Sequence, residues 1–158
     1  MTVAFEDLEI LKTAEGIADQ IWKEVTRWDS FARDVVGKQM AEAGDSIGAN
    51  IAEGYGRFHY GEKLQFFYYS RGSLFETKYW LNRALTRGLT EKLKFEQLVN
   101  QLTDLARRLN KLATSTKQQK FSTAKGVREM QADYLMYEFP EELFTQEELV
   151  WLETLPNS

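Results

Sequence analysis

Cysteine is absent from the 158 residues, and histidine occurs once, as His59. A disulfide scaffold, a thiol nucleophile and a cysteine zinc site are therefore excluded. Histidine-pair metal sites and two-histidine mechanisms go with them, and no cofactor or metal is expected. Proline is almost as scarce: Pro140 and Pro156 are the two in the chain. The proline-free stretch 1–139 favours long helices over a turn-rich β fold. No run of about eighteen apolar residues exists, so no membrane span is expected. The opening Met1-Thr2-Val3-Ala4-Phe5-Glu6-Asp7 lacks the basic and apolar regions of a signal peptide, and a cytoplasmic protein is expected.

What is present is helical periodicity. From about Phe5 to Trp28, the residues Leu8, Leu11, Ala14, Ile17, Ala18, Ile21, Trp22, Val25 and Trp28 recur at spacings of three and four. Asp29-Ser30 is a natural break. A second helix is predicted from about Lys38 to Gly54, with Met40, Ala43, Ile47 and Ile51 as its apolar stripe. Beside that stripe lie Gly44, Gly48 and Ala52, small residues that let another helix backbone come close. A third helix is predicted from about Gly61 to Arg87. Its aromatic girdle, with Phe66, Tyr69 and Trp80 outside the narrow stripe, points to cover on more than one side, by its own bundle and by a second subunit. Gly88 closes it and Thr90 can cap the next. Phe95, Leu98, Val99, Leu102, Leu105, Ala106, Leu109, Leu112 and Ala113 then repeat at near-heptad spacing to about Ser115. Four helices with short connections make an antiparallel bundle, all-α, over residues 1–118.

Residues 119–158 read as an acidic, partly helical C-terminal extension. Val127, Met130, Tyr134 and Leu135 suit a short helix, ended by Pro140. Thr145 with Glu148 fits a capping box leading into Leu149, Val150 and Leu152. The extension carries enough apolar side chains to dock on something.

The formal net charge of −4 conceals an asymmetry. Residues 1–60 sum to −5, residues 61–120 to +7, and residues 121–158 to −6. The third and fourth helices are thus basic. Composition alone favours a solvated face balanced by the acidic first helix and tail. The alternative is a surface that attracts phosphate. Arg83, Arg87, Arg107, Arg108 and Lys111 are the expected nucleic-acid contacts. The acidic extension is expected to screen this surface or to occupy it until a partner arrives.

The most unusual stretch is Ser46-Ile47-Gly48-Ala49-Asn50-Ile51-Ala52-Glu53-Gly54-Tyr55-Gly56-Arg57. Ser46, Asn50 and Glu53 share one side of the second helix, and Glu62, Ser73 and Glu76 arise on the third. A helix hairpin can bring these charges together around Arg57. Buried charges need partners, so this cluster reads first as a structural junction. No serine here has a base to activate it, and His59 sits in an exposed-looking loop. Reading a catalytic site needs nucleophile, base and stabiliser together, so no enzymatic activity is expected. An enzyme would instead need a solvent-open pocket lined by Glu53, Arg57 and Glu76. Gly54-Tyr55-Gly56 lacks the Gly-Lys-Ser/Thr ending of a phosphate loop.

Gln39, Ser46-Ile47, Asn50-Ile51-Ala52-Glu53-Gly54, Gly56-Arg57, Glu62, Phe66-Phe67, Gly72-Ser73 and Glu76 also carry a resemblance. The chain resembles the four-helix-bundle proteins encoded in intervening sequences of bacterial large-subunit ribosomal RNA genes. The likeness runs from about Phe5 to Ser115. It implies an up-and-down four-helix bundle assembled as a ring-shaped homopentamer. It also implies kinship with the accessory variability proteins of diversity-generating retroelements, which bind nucleic acid and work with a reverse transcriptase. The expected role is a non-enzymatic accessory protein holding RNA, DNA or an RNA–reverse-transcriptase complex. The alternative is a protein-only scaffold whose extension docks on a neighbouring subunit or partner protein. The second helix departs from the family's basic pattern, since Gln39-Met40 is followed by Ala41-Glu42 and then Asp45.

Overall fold

The computed structural model describes residues 5–124 and 142–157. Among these, all regular structure is helical. Helix α1 spans Phe5–Val25, α2 Ser30–Ala32, and a π-helical turn Arg33–Gly37 leads without a break into α3, Lys38–Gly56. Helix α4 spans Tyr60–Thr86, α5 Lys92–Ala124 and α6 Gln146–Glu153. The arrangement is a helical bundle in which α3 packs on both α1 and α4, α5 packs on both α4 and α1, and α6 rests on α5.

The α1 face that turns inward is Ile10, Ala14, Ile17, Ile21 and Val25. Leu8 and Trp22, expected on this face, are exposed, and Ile10 takes the inner position. A heptad-like spacing of four, three, four and four residues holds the buried stripe straight along the helix.

The break at Asp29-Ser30 is real. The Asp29 carboxylate accepts the Ala32 amide at 3.0 Å, capping the new helix. That helix begins at Ser30 and not near Lys38, which corrects the sequence reading. Val35 and Val36 are poor helix formers, but the packing of Ala32, Val36 and Gly37 outweighs propensity. The π turn supplies the wider spacing that keeps Ala32, Val36, Gly37 and Met40 all facing the core.

The small residues of α3 meet α1 as expected. A Cβ on Gly44 would lie 2.9 Å from Ile21 Cδ1, and one on Gly48 would lie 3.4 Å from the Ala14 methyl. Ala52 is exposed and takes no part. Of the two glycines expected to end the helix, Gly56 is its last residue and Gly54 is not a stop. It lies inside α3, buried, where a Cβ would stand 2.7 Å from Phe67 Cε1 of α4. The helix ends two residues later, where Arg57 turns extended at φ −81° and ψ 142°.

The α4–α5 corner is set by Gly88. Its φ of +70° places it in the left-handed region that favours glycine. Leu89 N–H donates to Ala84 O at 2.8 Å and Gly88 N–H to Leu85 O at 3.1 Å, the paired bonds of a Schellman motif. Thr90 does not cap α5 as expected. Its hydroxyl donates to Glu24 Oε2 at 3.3 Å, tying the corner to α1. The buried stripe of α5 is the expected one from Phe95 to Ala113, but the helix continues past Ser115 to Ala124.

On α4 the buried stripe carries polar groups: Ser70, Thr77 and Lys78 stand among Leu64, Phe67, Leu74, Leu81 and Ala84. The Ser70 hydroxyl donates to Ile47 O of α3 at 2.9 Å, and Thr77 donates to Ser73 O at 2.8 Å. Both are satisfied, as buried hydroxyls must be.

Thr145 and Glu148 form the expected capping box at the start of α6. The short helix expected around Val127 to Leu135 lies outside the described residues. None of the described helices is long and apolar enough to cross a membrane.

Candidate nucleic-acid interface

The five expected phosphate contacts have different surroundings. Arg87 and Lys111 are exposed, and neither side chain makes a hydrogen bond or ion pair among the described residues. Arg108 pairs with Asp104 one turn earlier at 3.0 Å. Arg83 is half-buried, with its guanidinium 5.9 Å from the Tyr79 ring centroid and its Nε without a hydrogen-bond partner. Arg107 pairs with Glu153 of α6 at 3.3 Å.

The pairing of Arg107 belongs to a larger contact in which part of the acidic extension occupies the basic α4–α5 surface, one of its expected roles. It does so through Arg71, Lys78 and Asn110, which the sequence does not single out as contacts. The segment 142–157 lies against α4 and α5. Leu143, Phe144, Leu149 and Leu152 enter the main core, with Phe144 and Leu152 fully buried. The Phe75 ring of α4 stacks on Phe144 at 5.7 Å and on Trp151 at 5.5 Å. Asn110 of α5 holds the main chain of Phe144 from both sides: its Oδ1 accepts the Phe144 amide at 2.6 Å, and its Nδ2 donates to the Phe144 carbonyl at 2.9 Å.

Two cations of α4 complete the contact. Arg71 donates through Nε to Leu143 O at 2.7 Å and pairs with Glu148, its guanidinium 4.7 Å above the Phe75 ring. Charge-assisted bonds over an aromatic face are the strong kind. Lys78 is wholly buried. Its Nζ donates to Asn82 Oδ1 at 2.7 Å and to Thr154 O at 2.8 Å, between the rings of Phe95 and Trp151. Among the described residues, no carboxylate pairs with it. Burial pushes its pKa down from 10.5 to about 8. The signals for this contact in the sequence are the opposite charges of the extension and of the third and fourth helices, and the capping box leading into apolar residues.

The lowered Lys78 pKa has a pH consequence. Between about pH 8 and 10.5 the unfolded chain holds this proton while the folded chain releases it. Stability rises with pH wherever the unfolded state binds more protons. Lys78 therefore weighs against the fold below pH 8, and that cost is relieved as pH climbs. Urea unfolding at pH 7 and 9.5 should show wild type gaining at most about 2 kcal/mol relative to Lys78→Met. Parallel profiles for the two proteins would sink this reading.

The motif cluster is less concentrated than expected. Glu53 and Arg57 pair at 2.6 Å along α3, and the guanidinium lies 4.7 Å from the Phe66 ring. Asn50 donates to Ser46 O at 2.8 Å and reaches Ser73 Oγ of α4 at 3.5 Å. Asn50, Ser46 and Ser73 thus form a helix junction with Gly54. Glu62 and Glu76 do not join it. Glu62 is exposed in the first turn of α4, where it complements the helix dipole. Glu76 accepts from Trp80 Nε1 at 3.4 Å. An open recess of about 420 Å3 is lined by Glu53 and Arg57 with Ala49, Ala52 and Gly56, and Glu76 lies outside it. His59 is exposed just before α4, edge-on to Phe58. Among the described residues, no cluster of three or more His, Asp or Glu side chains is placed to hold a metal.

Comparison with known proteins bears on the same stretch. No curated protein matches the chain. The family model of the 23S rRNA-intervening sequence protein matches residues 6–111, which takes in α1 through most of α5 and ends before the docked segment. With two-thirds of its length covered, including the whole Ser46–Arg57 stretch, the chain belongs to the 23S rRNA-intervening sequence protein family.

Proposed function

We propose that this protein is a non-enzymatic, oligomeric accessory protein that binds RNA through the basic surface of α4 and α5. Family membership is the observation that carries this reading, since the family is named for intervening sequences of 23S rRNA. The +7 charge of residues 61–120 supports it. Arg87 and Lys111 are the leading contacts because their charges are not already engaged. Arg83 and Arg108 flank them. Arg107 contributes only when the C-terminal segment releases it.

The finer architecture belongs to the same proposal. Four long helices whose contacts close a circuit, α1 to α3 to α4 to α5 and back to α1, support an up-and-down antiparallel four-helix bundle. A ring-shaped homopentamer follows from the family resemblance, and the half-exposed rings of Tyr69 and Tyr79 on α4 supply apolar surface for it. A cytoplasmic location fits these properties. A reverse transcriptase is the protein partner that kinship with retroelement accessory proteins points to.

The test is RNA binding measured across a salt series. Each lost phosphate contact flattens the log–log salt slope by about 0.7 for single strands. Arg87→Gln with Lys111→Gln should flatten it by about 1.4 and weaken binding whatever the RNA sequence. An unchanged slope removes α4–α5 as the RNA surface. Purification with and without ribonuclease would identify bound RNA.

One observation favours a second reading, a protein-only scaffold. The segment 142–157 covers Arg71 and Lys78 and engages the exposed Arg107 in an ion pair. A scaffold predicts normal assembly and no RNA in purified material.

A further inference from the structure

The contact between the segment 142–157 and α4–α5 has the character of peptide recognition. Most of the polar bonds from the groove reach the segment's main chain. Arg71 reads the Leu143 carbonyl, Asn110 reads both the amide and the carbonyl of Phe144, and Lys78 reads the Thr154 carbonyl. The groove thus holds the segment at its entry and at its exit. Between these ends, Phe144, Leu149 and Leu152 fill apolar space, and Phe75 stacks on both Phe144 and Trp151.

Charge fits as well. Residues 142–157 carry four acidic side chains, Glu142, Glu147, Glu148 and Glu153, and no basic one. Two of them meet groove arginines, Glu148 on Arg71 and Glu153 on Arg107. The segment also arrives with its own helix start, the Thr145–Glu148 capping box, which lowers the cost of ordering a short helix on binding.

These bonds join α4–α5 to a short self-contained piece of chain. None of them depends on that piece being covalently continuous with α5. We infer that the α4–α5 groove is a peptide-binding site whose ligand in trans is the same acidic segment of a second copy of this chain. The chain's own segment and that of its neighbour compete for one groove. Exchange links two copies without any new surface, because both halves of the contact already exist in each. This inference is independent of RNA binding, and a failure of either leaves the other standing.

The test uses the full-length chain and a fluorescent synthetic peptide of residues 142–157. Phe144→Ala with Leu152→Ala in the chain detaches its own segment while leaving the groove intact. That variant should bind the peptide saturably, at least tenfold more tightly than wild type, whose groove is occupied. Adding Asn110→Ala to the variant should weaken peptide binding at least tenfold, with helical content by circular dichroism unchanged. A peptide carrying the Phe144→Ala change should bind at least tenfold more weakly than the native peptide. Equal binding by wild type and the detached variant, or indifference to Asn110→Ala, overturns the inference. Should the variant fail to fold, wild type alone decides. Excess unlabelled peptide should raise deuterium uptake in residues 142–157 of an isotope-labelled chain, and unchanged uptake overturns the inference.

Discussion

Replacing Phe144 with alanine is expected to cost about 3–5 kcal/mol of the free energy that holds the segment 142–157 in place. The ring is fully buried and stacks on Phe75. Removing it deletes apolar burial and leaves a cavity that Phe75 and Trp151 can only partly close. The loss cannot exceed the docking free energy itself. Once the segment is off, further damage goes unregistered. Docking of a segment built on one eight-residue helix is local, so it should detach before α1–α5 unfold. Hydrogen exchange reads this directly. The amides of Leu149 to Glu153 should lose most of their protection in Phe144→Ala, while those of Leu98 to Leu109 keep theirs. Retained protection in α6 would show that Phe144 does not anchor it.

A pair of glycine substitutions should have opposite signs. At Gly54 an added methyl meets the edge of the Phe67 ring at 2.7 and 3.1 Å and the Lys63 carbonyl at 3.3 Å. Phe67 is fully buried, so it has nowhere to go. Overpacking of this kind costs roughly 3 kcal/mol. The gain in helix propensity over glycine returns about 1 kcal/mol. Gly54→Ala should therefore destabilise by about 2 kcal/mol net. Gly72 sits exposed in the middle of α4, and a Cβ there meets nothing within 4 Å. Gly72→Ala should stabilise by up to about 1 kcal/mol. Denaturant midpoints for both variants settle the signs. A neutral Gly54→Ala would mean that α3 and α4 can separate without penalty.

The apolar stripes of α1, α4 and α5 were legible because a spacing of three and four needs only one face to be buried. Gly88, the Asp29 break and the Thr145–Glu148 box were legible because their chemistry is local. Other features were settled by contacts across the chain. Residues 30–37 look indifferent to helix in isolation, and their helicity comes from burial of Ala32, Val36 and Gly37. Gly54 looks like a helix stop, and only the position of Phe67 shows that it is a close-packing residue. Glu53, Arg57, Glu62 and Glu76 share a motif in sequence, but the pitch of α4 carries Glu76 well away from Glu62. Lys78 is the clearest case. A lysine on a heptad stripe reads as a solvated cation until a segment some seventy residues away supplies the carbonyl and the ring that cover it.

The placement of Phe144 and Leu152 within the core also bears on the order of folding. All the long helices precede these residues in the order of synthesis. Until then the face of Phe75, Lys78 and Phe95 stands open to water, and the nascent bundle lacks one wall of its interior. Completion of the core thus waits for a segment that comes after the four long helices in the chain. In that interval the exposed rings of α4 and α5 are the surface that a chaperone, or a finished neighbour, would meet first.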